Sequence, residues 1–189
     1  MAEARAFMRR RMLRRAACGA LLSGLLLVLR GRHDRGDGTV PINAISHWLW
    51  PGSAFEARGL SLRHTATGSV IHLGASCFWS LVFEGRQLLR PPPIAPQAAA
   101  MSAVLTDALA LSAAAAWVDL VLVPPALSPG FERQLSGASL CLVYLGFAAG
   151  LALGELWPPP TRPRRADRQA AMPTRRSPGL LAPLDRRAA

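Results

Sequence analysis

The stretch ASLCLVYLGFAAGLALGELW, Ala138–Trp157, decides how the chain is read. Crossing the oily core of a bilayer takes about 20 mostly apolar residues in a helix. This run has that length, and it carries Gly146, Gly150 and Gly154 at steps of four. In lipid, helices associate by close backbone approach rather than by escape from water. A tandem glycine ridge is therefore a signal for tight helix packing, against this chain or a second copy of it.

Three further apolar runs precede it. They are AACGALLSGLLLVL (16–29), SVIHLGASCFWSLVF (69–83, with Glu84 at its end) and AAAMSAVLTDALALSAAAAWVDLVLV (98–123). The first is short enough for a signal-peptide core, but VLRGRH follows it rather than a small-x-small cleavage site. Arg14, Arg15 and Arg30 can snorkel and lengthen its effective span. The expected fold is all-α: an integral membrane four-helix bundle with short interfacial helices in the first outer loop. Residues 1–15 form a basic cytoplasmic N-terminus. Residues 16–157 form the membrane domain, with spans at 16–29, 69–84, 98–123 and 138–157 and an outer loop at 30–68. Residues 158–189 form a disordered basic cytoplasmic tail.

Arginine placement sets the expected threading. The chain has 22 basic residues, every one of them Arg, against 11 acids. Lys and Arg near span ends favour the cytoplasm. With both termini inside the cell, sixteen arginines fall on the cytoplasmic side and six on the outer side. The basic residues cluster at the two ends, flanking an apolar middle, which fits anionic lipid headgroups rather than nucleic acid. The tail is rich in Pro, Arg and Ala with no helical or strand period, so it cannot bury enough to offset its ordering entropy.

In the outer loop, PINAISHWLW places Pro41 for a first helical turn and Ile42, Ile45 and Leu49 on one face. Trp48 and Trp50 suit the headgroup layer. PGSAFEARG offers Ser53 and Glu56 at capping-box spacing, with Gly59 as a stop, so a second short helix is expected there.

Ionisable groups inside spans are functional suspects. Glu84 and Glu155 fall at the cytoplasmic rim, where solvation is cheap. Asp107 is the deepest acid, about 13 Å along its helix, and is the candidate for an ion path. His72, Ser76 and Ser80 step by four and mark a polar stripe that faces protein rather than lipid. His47, His64, His72 and Asp119 all fall near the outer end and form a candidate polar cluster. His64 and His72 are about 12 Å apart on a continuous helix, too far to share one ion; no metal or other cofactor is expected. The three cysteines lie in apolar runs without CxxC spacing and read as free buried thiols. GxSxG, HExxH and phosphate-loop patterns are absent, so no catalytic residue is assigned.

PINAISHWLW, SLRHTATGSVIHLGASCFWSLVFE and WVDLVLVPPALSPGFERQLSGASLCLVYLGFAAGLALGE together resemble a family of uncharacterised small bacterial four-helix inner-membrane proteins. The likeness covers Pro41 to Glu155. It rests on Asn43, Ser46, His47, Trp48, Arg63, His64, Thr65, His72, Trp79, Glu84, Asp119, Pro129, Gly130, Phe131 and Glu132, and the chain departs from it at Pro51. The resemblance implies a four-helix membrane protein and no activity. Function is then expected to be structural or accessory and not enzymatic. The partners would be the lipid bilayer, another membrane protein or a second copy. Two alternatives stay open: a proton- or ion-linked small transporter using Asp107 and Asp119, and a metal or redox protein using the outer histidines.

Overall fold

The computed structural model describes residues 2–89 and 97–156. The expected disordered tail, 158–189, lies outside the described residues, as does the proline-rich connection 90–96. Four long helices dominate: α1 (Ala2–Arg35), α3 (Thr67–Leu89), α4 (Gln97–Trp117) and α5 (Gly137–Leu156), with a short α2 (Val40–Ile45) between the first two. The chain is an all-α bundle, and four of its helical segments are long and apolar enough to cross a membrane.

α1 runs far past the apolar stretch at 16–29 in both directions. The apolar run marks only what lipid can touch. Arg is a good helix former, and nothing breaks the helix until Gly36, whose φ of +75° ends it in the left-handed region. The chain begins its second crossing with a π-helical turn, Leu62–Ala66, that feeds directly into α3. Ser61 opens this turn: its Oγ accepts from the His64 amide at 3.0 Å. α4 ends in a second π-helical turn, Val118–Leu122, closed by the Val123 amide on the Val118 carbonyl at 3.0 Å. Pro124 explains the stop. A residue before proline is pushed out of the helical region, and Val123 has ψ 143°.

The long helices alternate in direction. Arg15 in the first half of α1 pairs with Glu84 near the end of α3 and with Glu155 at the end of α5. Arg86 on α3 pairs with Asp107 midway along α4 at 3.3 Å. The start of α1 and the end of α5 therefore share one end of the bundle, called the inner end below.

The glycine ridge of α5 packs within the chain, against α1. A Cβ on Gly150 would run into the Cys18 carbonyl and lie 2.5 Å from Gly19 Cα; one on Gly154 would meet Arg15 Cα at 2.6 Å. Only glycine lets the two backbones come this close. Phe83, Leu111, Phe147 and Leu151 fill the inner half of the bundle, and Leu27, Ile45, Phe131, Leu135 and Val143 fill the outer half.

The outer loop differs from expectation in two respects. α2 forms, with Pro41 in its first turn, and continues into a 3-10 turn, Ser46–Trp48. Residues 51–56 instead make successive turns rather than a helix. Ser53 Oγ faces His64 at 3.5 Å and does not cap a helix. Nor is α2 a surface anchor. Val40, Pro41, Asn43, Ala44 and Ile45 are all buried, so it caps the bundle as a plug.

Candidate functional site

The plug is held by a polar network whose proton directions can be read off. Thr65 Oγ1 donates to Asn43 Oδ1 at 2.7 Å, and Asn43 Nδ2 donates to the carbonyls of Ala57 and Gly59. Ser46 Oγ spends its one proton on the Asn43 carbonyl at 2.7 Å. The 2.8 Å contact between Ser46 Oγ and His64 Nδ1 must then be donated by the imidazole. Trp50 meets the His64 ring edge-on, and the Arg63 guanidinium stacks over Trp50. His47 Nδ1 lies 2.9 Å from the Ala44 carbonyl and its ring packs on Phe55. Gly130 lets the next connection pass beside His47: its φ is +85°, and a Cβ there would lie 2.6 Å from the Ala44 carbonyl. Trp48 Nε1 donates to the Ser128 carbonyl at 2.9 Å, which ties the plug to the α4–α5 connection.

Below this plug, α3 and α4 part. Asp107 clamps them at the inner end, where Gln87 Nε2 donates to it at 2.8 Å beside the Arg86 pair. Toward the outer end the two helices lose contact and leave a cavity of about 630 Å³. That falls in the range of pockets that hold small ligands, about 300–1,000 Å³. Trp48 roofs it, while Phe78, Trp79, Phe131 and Phe147 supply aromatic walls. Gly74, Ala75 and Phe78 of α3 border it and are exposed, so its mouth faces sideways, where lipid surrounds a membrane helix.

Two polar pairs sit in this apolar wall. Tyr144 on α5 donates its hydroxyl to Asp119 Oδ2 at 3.0 Å. On the other side, His72 Nε2 lies 2.9 Å from Ser23 Oγ on α1. Ser23 donates to the Gly19 carbonyl at 2.7 Å, so here too the imidazole must be the donor. The His72 ring also borders a second cleft between α1 and α3, lined by Ala20, Gly24 and Ser69.

The four residues expected to cluster do not. No hydrogen bond or ring contact joins any two of His47, His64, His72 and Asp119. Each has its own partner: backbone for His47, Ser46 for His64, Ser23 for His72 and Tyr144 for Asp119. Among the described residues no three His, Cys, Asp or Glu side chains converge to hold a metal. His47 and His64 belong to the plug, while His72 and Asp119 border the cavity. Asp107 is fully buried but holds α3 to α4, and it stands about 18 Å along the helix from Asp119. Cys18 and Cys77 are half-buried and Cys141 is exposed, contrary to the expectation of three buried thiols; all three are free.

Tyr144 escaped notice in the sequence, yet it is the only tyrosine in the chain and sits mid-run among apolar residues. A phenol in such a place needs a hydrogen-bond partner, and that need points to an acid nearby. No protein-family model, curated protein or solved structure matches the chain.

Proposed function

We propose that this chain is a non-enzymatic accessory component of the bacterial inner membrane that takes a molecule from the lipid phase into the cavity between α3 and α4. The cavity carries the reading: an apolar chamber, open at its side, walled by aromatic rings and holding a few fixed polar groups. Such a chamber favours binding over chemistry, because its hydrogen-bonded pairs line the wall singly and form no nucleophile–base–orienter chain. Both ends of the bundle domain are assigned to the cytoplasm, on the arginine distribution along the chain. The arginine-rich ends would then lie against anionic lipid headgroups.

Ion carriage draws less support. Asp107 is engaged with Arg86 and Gln87, and Asp119 with Tyr144, at separate levels of the bundle. Native mass spectrometry of the protein released from nanodiscs tests the binding reading. Retention of a lipid-phase molecule, lost when Ala75→Trp fills the mouth, supports it. A bare monomer would sink it, as would a dimer whose second copy covers the mouth.

A further inference from the structure

An acid within a membrane-spanning helix is met by a cation, or it holds a proton. In this bundle every other acid of the four long apolar segments meets an arginine: Asp34 has Arg30, Glu84 and Glu155 share Arg15, and Asp107 has Arg86. Asp119 is the exception. Its partner is a phenol, Tyr144, and no arginine among the described residues pairs with it. Glu132 on the α4–α5 connection adds a second negative charge that acts on Asp119, and its own bond is to a hydroxyl, Ser128 Oγ at 2.7 Å. This charge opens onto the cavity. Among the described residues of its lining Asp119 is the only acid, and none is arginine. Aromatic rings border the same space: Phe131 lies 6.2 Å from Tyr144 and Phe78 lies 5.2 Å from Trp79, centre to centre. The face of such a ring is negative and attracts a cation, most strongly where water is excluded. Ser76 Oγ and Trp79 Nε1 also line the chamber without hydrogen-bond partners among the described residues, and Ser76 is buried. Both groups are neutral. They can hold a polar part of a ligand, but they leave the charge of Asp119 uncancelled. His72, on the α1 side, is engaged with Ser23 and makes no hydrogen bond to Asp119.

From this imbalance of charge we propose that the cavity binds an amphiphilic cation: a hydrocarbon chain ending in an amine or quaternary ammonium nitrogen, with Asp119 as its counter-ion. The rings around Asp119 cage the cationic head, and the hydrocarbon leaves through the side mouth along Phe78. A carboxylate or phosphate head would meet Asp119 and Glu132 with like charge and find no arginine in the lining. A neutral head would leave the carboxylate unpaired in an apolar wall. This rests on the proposed lipid-phase binding and adds the charge of the ligand.

The test uses the full chain in dodecyl maltoside, a carrier without charge, at pH 8, above the ordinary carboxylate range. Four probes of equal chain length are offered: decyltrimethylammonium, decylamine, decylphosphocholine and the neutral decanol, with occupancy read by native mass spectrometry. At least one of the two cations should bind at least about tenfold more tightly than decanol, the scale of one contact to a charged group. Decyltrimethylammonium has no N–H, so its binding isolates the charge from hydrogen bonding. Decylphosphocholine binding as tightly as decyltrimethylammonium would name a zwitterionic phospholipid as the source; weaker binding names a free amphiphilic amine. In Asp119→Asn the preference for the cation should vanish while decanol still binds, and Asp119→Glu should keep it. Cations binding no better than decanol would overturn the proposal on the parent protein alone, while leaving the lipid-phase cavity standing. So would an undiminished preference in Asp119→Asn. Binding of none of the four probes would remove both readings together.

Discussion

Asp37 Oδ1 accepts from the Thr39 amide at 2.8 Å and the Thr39 hydroxyl at 2.7 Å, while Oδ2 accepts from the Gly59 amide at 2.9 Å. One side chain thus joins the start of the outer loop to its far side. These hydrogen bonds, the two backbone amides first, favour the carboxylate and hold its pKa below the usual range. The folded loop therefore binds a proton less readily than the unfolded one. Its stabilisation is present above the ordinary carboxylate value, about pH 3.9, and is lost as pH falls through the lower folded value. Protection of the Thr39 and Gly59 amides, measured against their intrinsic exchange at each pH, should fall on acidification from about pH 4 downward. Asp37→Asn should exchange fast already at neutral pH and lose that acid step; a variant with the original profile would contradict the assignment. Little of this was legible in advance. Nothing in the spacing of Asp37 and Gly59 forecasts their meeting, because it depends on how turns 51–56 fold back. Tyr144 and Ser23 were equally silent as partners, since both hydrogen bonds form between helices far apart in the chain.

At the level of elements, the inner end of the bundle is bolted by Arg15. Its side chain is fully buried, pairs with Glu84 and Glu155, and stacks its guanidinium 4.8 Å from the centre of the Phe83 ring. Arg11 adds 3.5 Å contacts to the same two acids, and Arg14 Nε donates to the Gly154 carbonyl at 2.7 Å. One helix supplies the cations and two others the anions, so removing Glu84 leaves Arg15 and Arg11 to share Glu155 alone, an uncompensated positive charge at a largely buried end. Glu84→Gln should cost about 3–5 kcal/mol in reversible unfolding, and adding Arg15→Met should restore part of that loss. A Glu84→Gln protein within about 0.5 kcal/mol of the parent, the scale of a surface pair, would show that water already solvates this end. The apolar runs marked where each helix meets lipid, because that depends only on side-chain transfer. They did not mark where α1 begins or ends. Arginines at 9–15 look like a solvated leader until acids more than sixty residues away turn out to face them. The glycines of α5 announced a close contact, and the choice of α1 as its partner needed the fold.

For the whole molecule, the plug, the outer cavity and the inner ion-pair bolt divide the bundle into three levels. α1 and α5 form the tightly packed pair, α3 leans on α1, and α4 stands on α5 with a gap toward α3. That gap is invisible to hydropathy, which sees four similar apolar runs and not how far apart they stand. The division into levels presumes that the four long helices cross the bilayer with the bolt on the cytoplasmic side and the plug on the outer side. A chain stripped of Cys18, Cys77 and Cys141 can carry single cysteines at Arg9→Cys, Gly52→Cys and Ala126→Cys. Labelling of intact spheroplasts with a membrane-impermeant maleimide then reads the threading directly. Gly52→Cys and Ala126→Cys should react from outside, and Arg9→Cys only after the membrane is opened. Reaction of Arg9→Cys in sealed cells, or protection of Gly52→Cys and Ala126→Cys until lysis, would contradict that threading.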